Sequence, residues 1–139
     1  MKTISHHSAL IYVMVVVAAA DGAMSDREMR TIGEITRTLP VFRDFEDHRI
    51  VVVCQECAAI LREPEGLDGV LGLVREALPA SLRETAYTLA LEIAVTDARV
   101  MIEEVRILEL IRRALGIDKL VAAALERGAR ARYQIAAEQ

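Results

Sequence analysis

Apolar residues recur along this chain every three to four positions, and no stretch alternates strictly as a half-buried strand would. Together with the breakers, the pattern predicts about seven helices. The first, over about 5–20, is apolar nearly all round, which marks a buried central helix. Asp21-Gly22 ends it, and Gly22 can take the left-handed cap conformation. The second starts at Ser25, where Ser25-Asp26-Arg27-Glu28 has the form of a capping box; it turns Met29, Ile32, Ile35 and Leu39 inward and stops before Pro40. A third covers about 46–62 and is closed by Pro64 and Gly66. A short fourth, about 67–78, ends at Pro79. The fifth spans about 81–96, the sixth 102–115 with Gly116 as its cap, and the seventh runs from Asp118 to about Tyr133. With no strand, long linker or low-complexity segment, the expected fold is all-α: a single compact bundle forming one domain over residues 1–139.

Two stretches of this pattern are near-copies. Ala18, Asp21, Glu28, Arg30 and Ile35 overlay Ala94, Asp97, Glu104, Arg106 and Ile111 without a gap. A repeat at fixed offset points to a duplicated supersecondary unit. The units cover about 9–39 and 85–115, and each reads as apolar helix, acidic turn and amphipathic helix. Two such hairpins are expected to be related by a pseudo-two-fold axis. Besides apolar residues, the repeat keeps carboxylates.

Composition narrows the picture. The chain of 139 residues is 53% hydrophobic but only 4% aromatic, with no Trp, so its core must be built from Ala, Val, Leu and Ile in close helix packing. The net charge of −4 has no basic face of the kind that phosphate neutralisation needs, which argues against nucleic-acid binding. Cys54 and Cys57 form a lone C-x-x-C in an apolar run. A zinc site would need two more ligands, and a thioredoxin-type motif would need a βαβ setting. Buried free thiols are expected instead, with a redox sensor as the competing reading. The apolar start resembles a signal peptide with a small-residue cleavage site. A comparable segment, 87–95, recurs deep in the chain, and the first run falls short of the roughly 20 residues a membrane span requires. The expectation is a core helix of a cytoplasmic protein.

Asp21 and Asp97 each end an apolar helix, where the helix dipole disfavours a carboxylate by roughly 0.3–1 kcal/mol. Such a position asks for compensation from an Arg, from backbone N–H groups or from a cation. Free carbonyls at a helix end are also oxygen ligands that suit a hard cation. Glu28 and Glu104 lie near the start of the following helices and can point back across the turn. Capping accounts for the first copy without a metal, but Met101 stands where Ser25 stood and offers no capping hydroxyl to the second. Neither turn fits an EF-hand, so any site would be irregular and oxygen-rich, favouring Ca²⁺, Mg²⁺ or Mn²⁺ over Zn²⁺.

An apolar helix ending in Ala-Asp-Gly, followed by Glu seven positions after the Asp, resembles the TerB family of small helical tellurite-resistance proteins. The likeness runs from about Ala9 to Tyr133. It is strongest from Tyr12 to Gly22, over Leu39-Pro40-Val41-Phe42, and over the second copy. It implies an all-helical fold and a non-enzymatic role in tellurite or chemical-stress resistance. It also implies divalent-cation binding through clustered acids and association with a membrane protein of the same resistance system, at the inner face of the membrane. Carried over by position, the metal residues are Asp21, Glu28, Asp97 and Glu104. The second copy departs from the pattern, with Thr96-Asp97-Ala98 for Ala-Asp-Gly and Ile102 at the place of Asp26.

Other residues carry weaker signals. His6 and His7 are adjacent near the start and read as solvated, as does His48 among Asp44, Glu46 and Asp47. Met14, Met24, Met29 and Met101 read as gap-filling core. Arg127, Arg130 and Arg132 read as a solvated face that could meet an acidic partner or lipid headgroups. No nucleophile sits beside an evident base, so catalysis is not expected. The competing reading of the whole chain is a helical protein–protein interaction module whose acids only cap.

Overall fold

The computed structural model describes residues 3–20, 22, 24–95 and 102–136, with backbone alone for 102 and 103. Among these residues it contains seven α-helices and no strand, packed as a compact bundle. They are α1 (His6–Ala18), α2 (Asp26–Thr38), α3 (Ile50–Leu61), α4 (Gly66–Ala77), α5 (Arg83–Ala94), α6 (Ile102–Leu115) and α7 (Lys119–Arg132). Short 3-10 turns at Pro40–Phe42, Asp47–Arg49 and Ala80–Leu82 lie in the connections.

The all-round apolarity of α1 has the expected consequence. Every residue of 9–18 is buried, and α5, α3 and α4 all pack against this helix. Each fully buried Val, Leu or Ile is worth about 1.5–3 kcal/mol of transfer free energy, so α1 is the hydrophobic centre of the molecule. The bundle closes around it with Ile32 from α2, Val53 and Cys57 from α3, Val70 and Val74 from α4, Ala90 and Ile93 from α5, and Ile111 and Leu115 from α6. α7 is the outlying helix; it packs mainly on α5 and buries only Ala122 fully. No helix among the described residues is long and apolar enough to cross a membrane.

Helix ends follow local chemistry. Gly116 takes φ 67°, while its N–H donates to the Arg113 carbonyl at 3.1 Å and that of Ile117 to the Arg112 carbonyl at 3.1 Å. This is the Schellman arrangement that satisfies the last carbonyls of α6. Asp118 then caps α7, its carboxylate accepting from Leu120 N at 2.9 Å.

Two expectations need correcting. Gly66 does not close the third helix; it begins α4, and Glu65 before it adopts the left-handed φ of 57°. A Cβ at Gly66 would lie 2.1 Å from the Ile60 carbonyl oxygen, so the close crossing of the α3 end and the α4 start requires glycine. His7 is not part of a solvated start. Its Nε2 is 2.9 Å from the Val41 carbonyl, and its ring stacks on Phe42 and meets Phe45 edge-on. The residues after α2 thereby fold back over the start of α1. A contact across 34 positions has no local sequence signature.

Candidate functional site

The first acidic turn leads into α2 through the capping box its sequence describes. Ser25 N–H donates to Glu28 Oε1 at 2.8 Å, and Glu28 N–H donates to Ser25 Oγ at 3.1 Å. Two orphan donors of the helix start are thus satisfied reciprocally, and the carboxylate sits at the favourable end of the helix dipole. Glu28 is only 5% exposed, and Oε2 takes no part in the box. Glu104, its counterpart in the first turn of α6, is 6% exposed. Glu28, Thr36, Glu92 and Glu104 are the buried polar residues among those described, so the two copies bury a carboxylate at the same register. Burying a carboxylate is costly unless hydrogen bonds or an opposite charge compensate it.

Asp21 and Asp97 lie outside the described residues. Among the described residues, no three His, Cys, Asp or Glu side chains come together as a set able to hold a metal ion. A cavity of about 460 Å³ adjoins the first turn. Val16, Ala19, Ala20 and Gly22 line one side of it, Leu61 and Arg62 from the α3 end another, and Ile107 of α6 a third. The end of the first apolar helix thus shares a cavity wall with the helix that carries Glu104.

The cysteines lie in the core. Cys57 Sγ donates weakly to the Tyr12 carbonyl at 3.8 Å. Burial pushes the Cys54 thiol up to about 11 and, with Cys54 adding to it, the Cys57 thiol up to about 12. A redox sensor needs an exposed thiol with a lowered pKa, and both cysteines show the opposite.

The α5–α7 contact holds a cluster that the sequence reading missed. Glu92 is buried on α5, and its Oε1 accepts from Arg132 Nη1 at 2.6 Å. The Tyr133 hydroxyl donates to Oε2 of the same carboxylate. A charge inside the apolar run 89–94 was the available signal, because such a residue must find a partner elsewhere in the fold. Nearby, Tyr87 lines a cleft of about 370 Å³ between α5, α6 and α7. Burial, with Glu126 and Glu109 adding to it, raises its phenol to about 12. Glu109 is bound by Arg112 in a two-pronged contact (2.7 and 3.0 Å) and by Arg113 at 3.1 Å, and these cations hold its carboxyl near 2.

The family model described as tellurite resistance protein TerB matches residues 7–127. No curated protein and no solved structure matches the chain.

Proposed function

Since the chain belongs to the TerB family of tellurite resistance proteins, we propose that it acts without catalysing a reaction, in resistance to tellurite and related chemical stress, by holding a divalent cation at its acidic turns. The observation that carries this reading is the pair Glu28 and Glu104, buried at the same register of the two copies. Their oxygen chemistry suits Ca²⁺, Mg²⁺ or Mn²⁺. Glu28 Oε2, outside the capping box, and a Glu104 carboxylate oxygen would be the ligands from the helix starts, with Asp21 and Asp97 supplying the turn carboxylates. A bound cation would tie each helix start to the turn before it. The proposed partner is a membrane protein of the same resistance system, met from the cytoplasmic side.

A thermal melt of chelator-treated protein, alone and with each cation in turn, tests the reading. Ligand binding to the folded state alone adds about 2.7 kcal/mol at a hundredfold excess over Kd, so Tm should rise by several degrees with one hard cation. Asp97→Asn with Glu104→Gln should remove most of that rise while leaving the helical signal intact. An unchanged response in this double variant would end the assignment of these residues.

One observation favours a second reading, an interaction module whose acids only cap: the Ser25–Glu28 box is complete within its own turn. On this reading, Tm stays indifferent to every cation up to millimolar concentration.

A further inference from the structure

The outer face of α7 is turned away from the bundle. Leu120, Ala124, Arg127 and Ala131 recur at the i, i+4, i+7, i+11 spacing of one helix face, and all four are exposed, Leu120 at 81%. Ala123 and Gly128 flank this row and are exposed as well. Beyond the helix end, Ile135 is 89% exposed. Val121, Ala122, Leu125 and Ala129 turn the opposite way, toward the bundle. The outward row is therefore not a mispacked core face.

Charge distinguishes the face further. α7 carries Lys119, Arg127, Arg130 and Arg132 against the acid Glu126, in a chain whose net charge is −4. Lys119 and Arg130 lie along one edge of this row, Arg132 along the other, and Arg127 within it. Lys119, Arg127 and Arg130 make no ion pair among the described residues, and Arg132 keeps a side chain 69% exposed while holding Glu92. Arg127 within a row of small residues, with long cationic side chains on both edges and Leu120 exposed at its start, gives a positive face of the kind that meets a membrane interface. The stems cover apolar surface, and the heads reach anionic groups.

A second copy of the chain would fit less well. Antiparallel pairing of two α7 faces would set cations against cations, although the small residues would allow close approach. An anionic occupant reverses that sign.

We propose that the outer face of α7 docks the protein on an anionic phospholipid bilayer surface, with Leu120 and Ile135 entering the headgroup boundary and Arg127, Arg130, Arg132 and Lys119 contacting phosphates. The proposal does not depend on cation binding at the acidic turns, and its test is run in chelator so that the two fail separately. Full-length protein is sedimented with extruded vesicles of phosphatidylcholine alone, and of phosphatidylcholine and phosphatidylglycerol in equal parts. Binding is expected only to the anionic vesicles and is expected to weaken steeply with salt. Arg127→Glu with Arg130→Glu should lower the partition coefficient about tenfold or more, at roughly 1 kcal/mol per basic residue. Leu120→Ser with Ile135→Ser should weaken binding at high salt, where charge attraction is screened. These side chains are exposed, so the melts of both variants should match the parent. Equal binding to both vesicles, or full binding by the charge-reversed variant, would overturn the proposal. So would failure to bind the anionic vesicles, and charge-dependent binding of poly-glutamate in that case would assign the face to an acidic protein.

Discussion

α1 and α5 stand at matching places in the two copies of the repeat, yet their burial is achieved differently. α1 is covered on every side by apolar neighbours, and its run 9–18 contains no charge. α5 is also buried over 89–94, but where α1 has Val16 it has Glu92, which Arg132 and Tyr133 hold from the end of α7. The helices that follow also differ. Ile35 and Ile111 overlay in the repeat, but Ile35 is partly buried and Ile111 is 0% exposed. α6 packs on α5, α1 and α4, whereas α2 sits at the margin and touches α1, α5 and the neighbouring 3-10 turns more sparsely. Similar local sequences therefore carry different energetic weight, because the surroundings of each copy differ.

Exchanging the paired residues is the strongest way to break the comparison. Val16→Glu would put a carboxylate among apolar neighbours, with only Arg62 of the shared cavity wall as a cation, and loss of about 3–5 kcal/mol is expected, enough to unfold a marginal domain. Glu92→Val should cost far less, because the partners it leaves, Arg132 and Tyr133, are exposed enough to be solvated instead of being stranded as buried charges. Urea midpoints of the two variants decide it, and equal losses would mean that α1 and α5 have equivalent surroundings after all.

The isoleucines sharpen the same contrast. Ile111→Ala should cost about 2–5 kcal/mol through lost transfer energy and a residual cavity, and Ile35→Ala about half of that range or less, in proportion to its burial. Chemical denaturation of the pair would show it; a larger loss at Ile35 would contradict the packing described.

A smaller effect belongs to the caps. Ser25→Ala removes the hydroxyl half of the box and should destabilise by about 1 kcal/mol. The drop in Tm should be accompanied by faster amide exchange confined to the first turn of α2.

An effect confined to alkaline pH, and negligible near neutrality, concerns α3, which packs on α1. Thiols raised above their ordinary value of 9.0, to about 11 at Cys54 and about 12 at Cys57, favour the folded state while they remain neutral. Their contribution is full below pH 9 and is lost as pH climbs through 11 to 12. The urea midpoint should fall over that window, less steeply in Cys54→Ala with Cys57→Ala. Iodoacetamide should leave the native thiols unmodified at pH 8.

Much of the fold was legible because its signals are local. Periodicity located all seven helices, Pro40 and Pro79 bounded two of them, and the Ser25–Glu28 box and the Gly116 cap formed where their residues stand. Helix starts and stops are set by hydrogen bonds a few positions apart, so a short window of sequence contains the cause. Gly66 was misread because its role depends on the Ile60 carbonyl approaching across a turn, which no turn pattern specifies. For the candidate site, the register of Glu28 and Glu104 was readable from the repeat, but their burial was not. Burial depends on what the rest of the chain lays over them.

By itself, then, the chain determined its helical class, the number and order of its helices among the described residues, its family and the doubling of its acid pattern, since each follows from composition, spacing and nearest-neighbour chemistry. Only the tertiary structure decided that His7 would be held by Val41 and Phe42, that Glu92 would be claimed by α7, and that Ile111 rather than Ile35 would be sealed in the core. Those outcomes depend on contacts between residues 34 and 40 positions apart and on the order in which helices cover α1. Such contacts arise from packing a limited apolar surface, and no periodicity within a single helix encodes them.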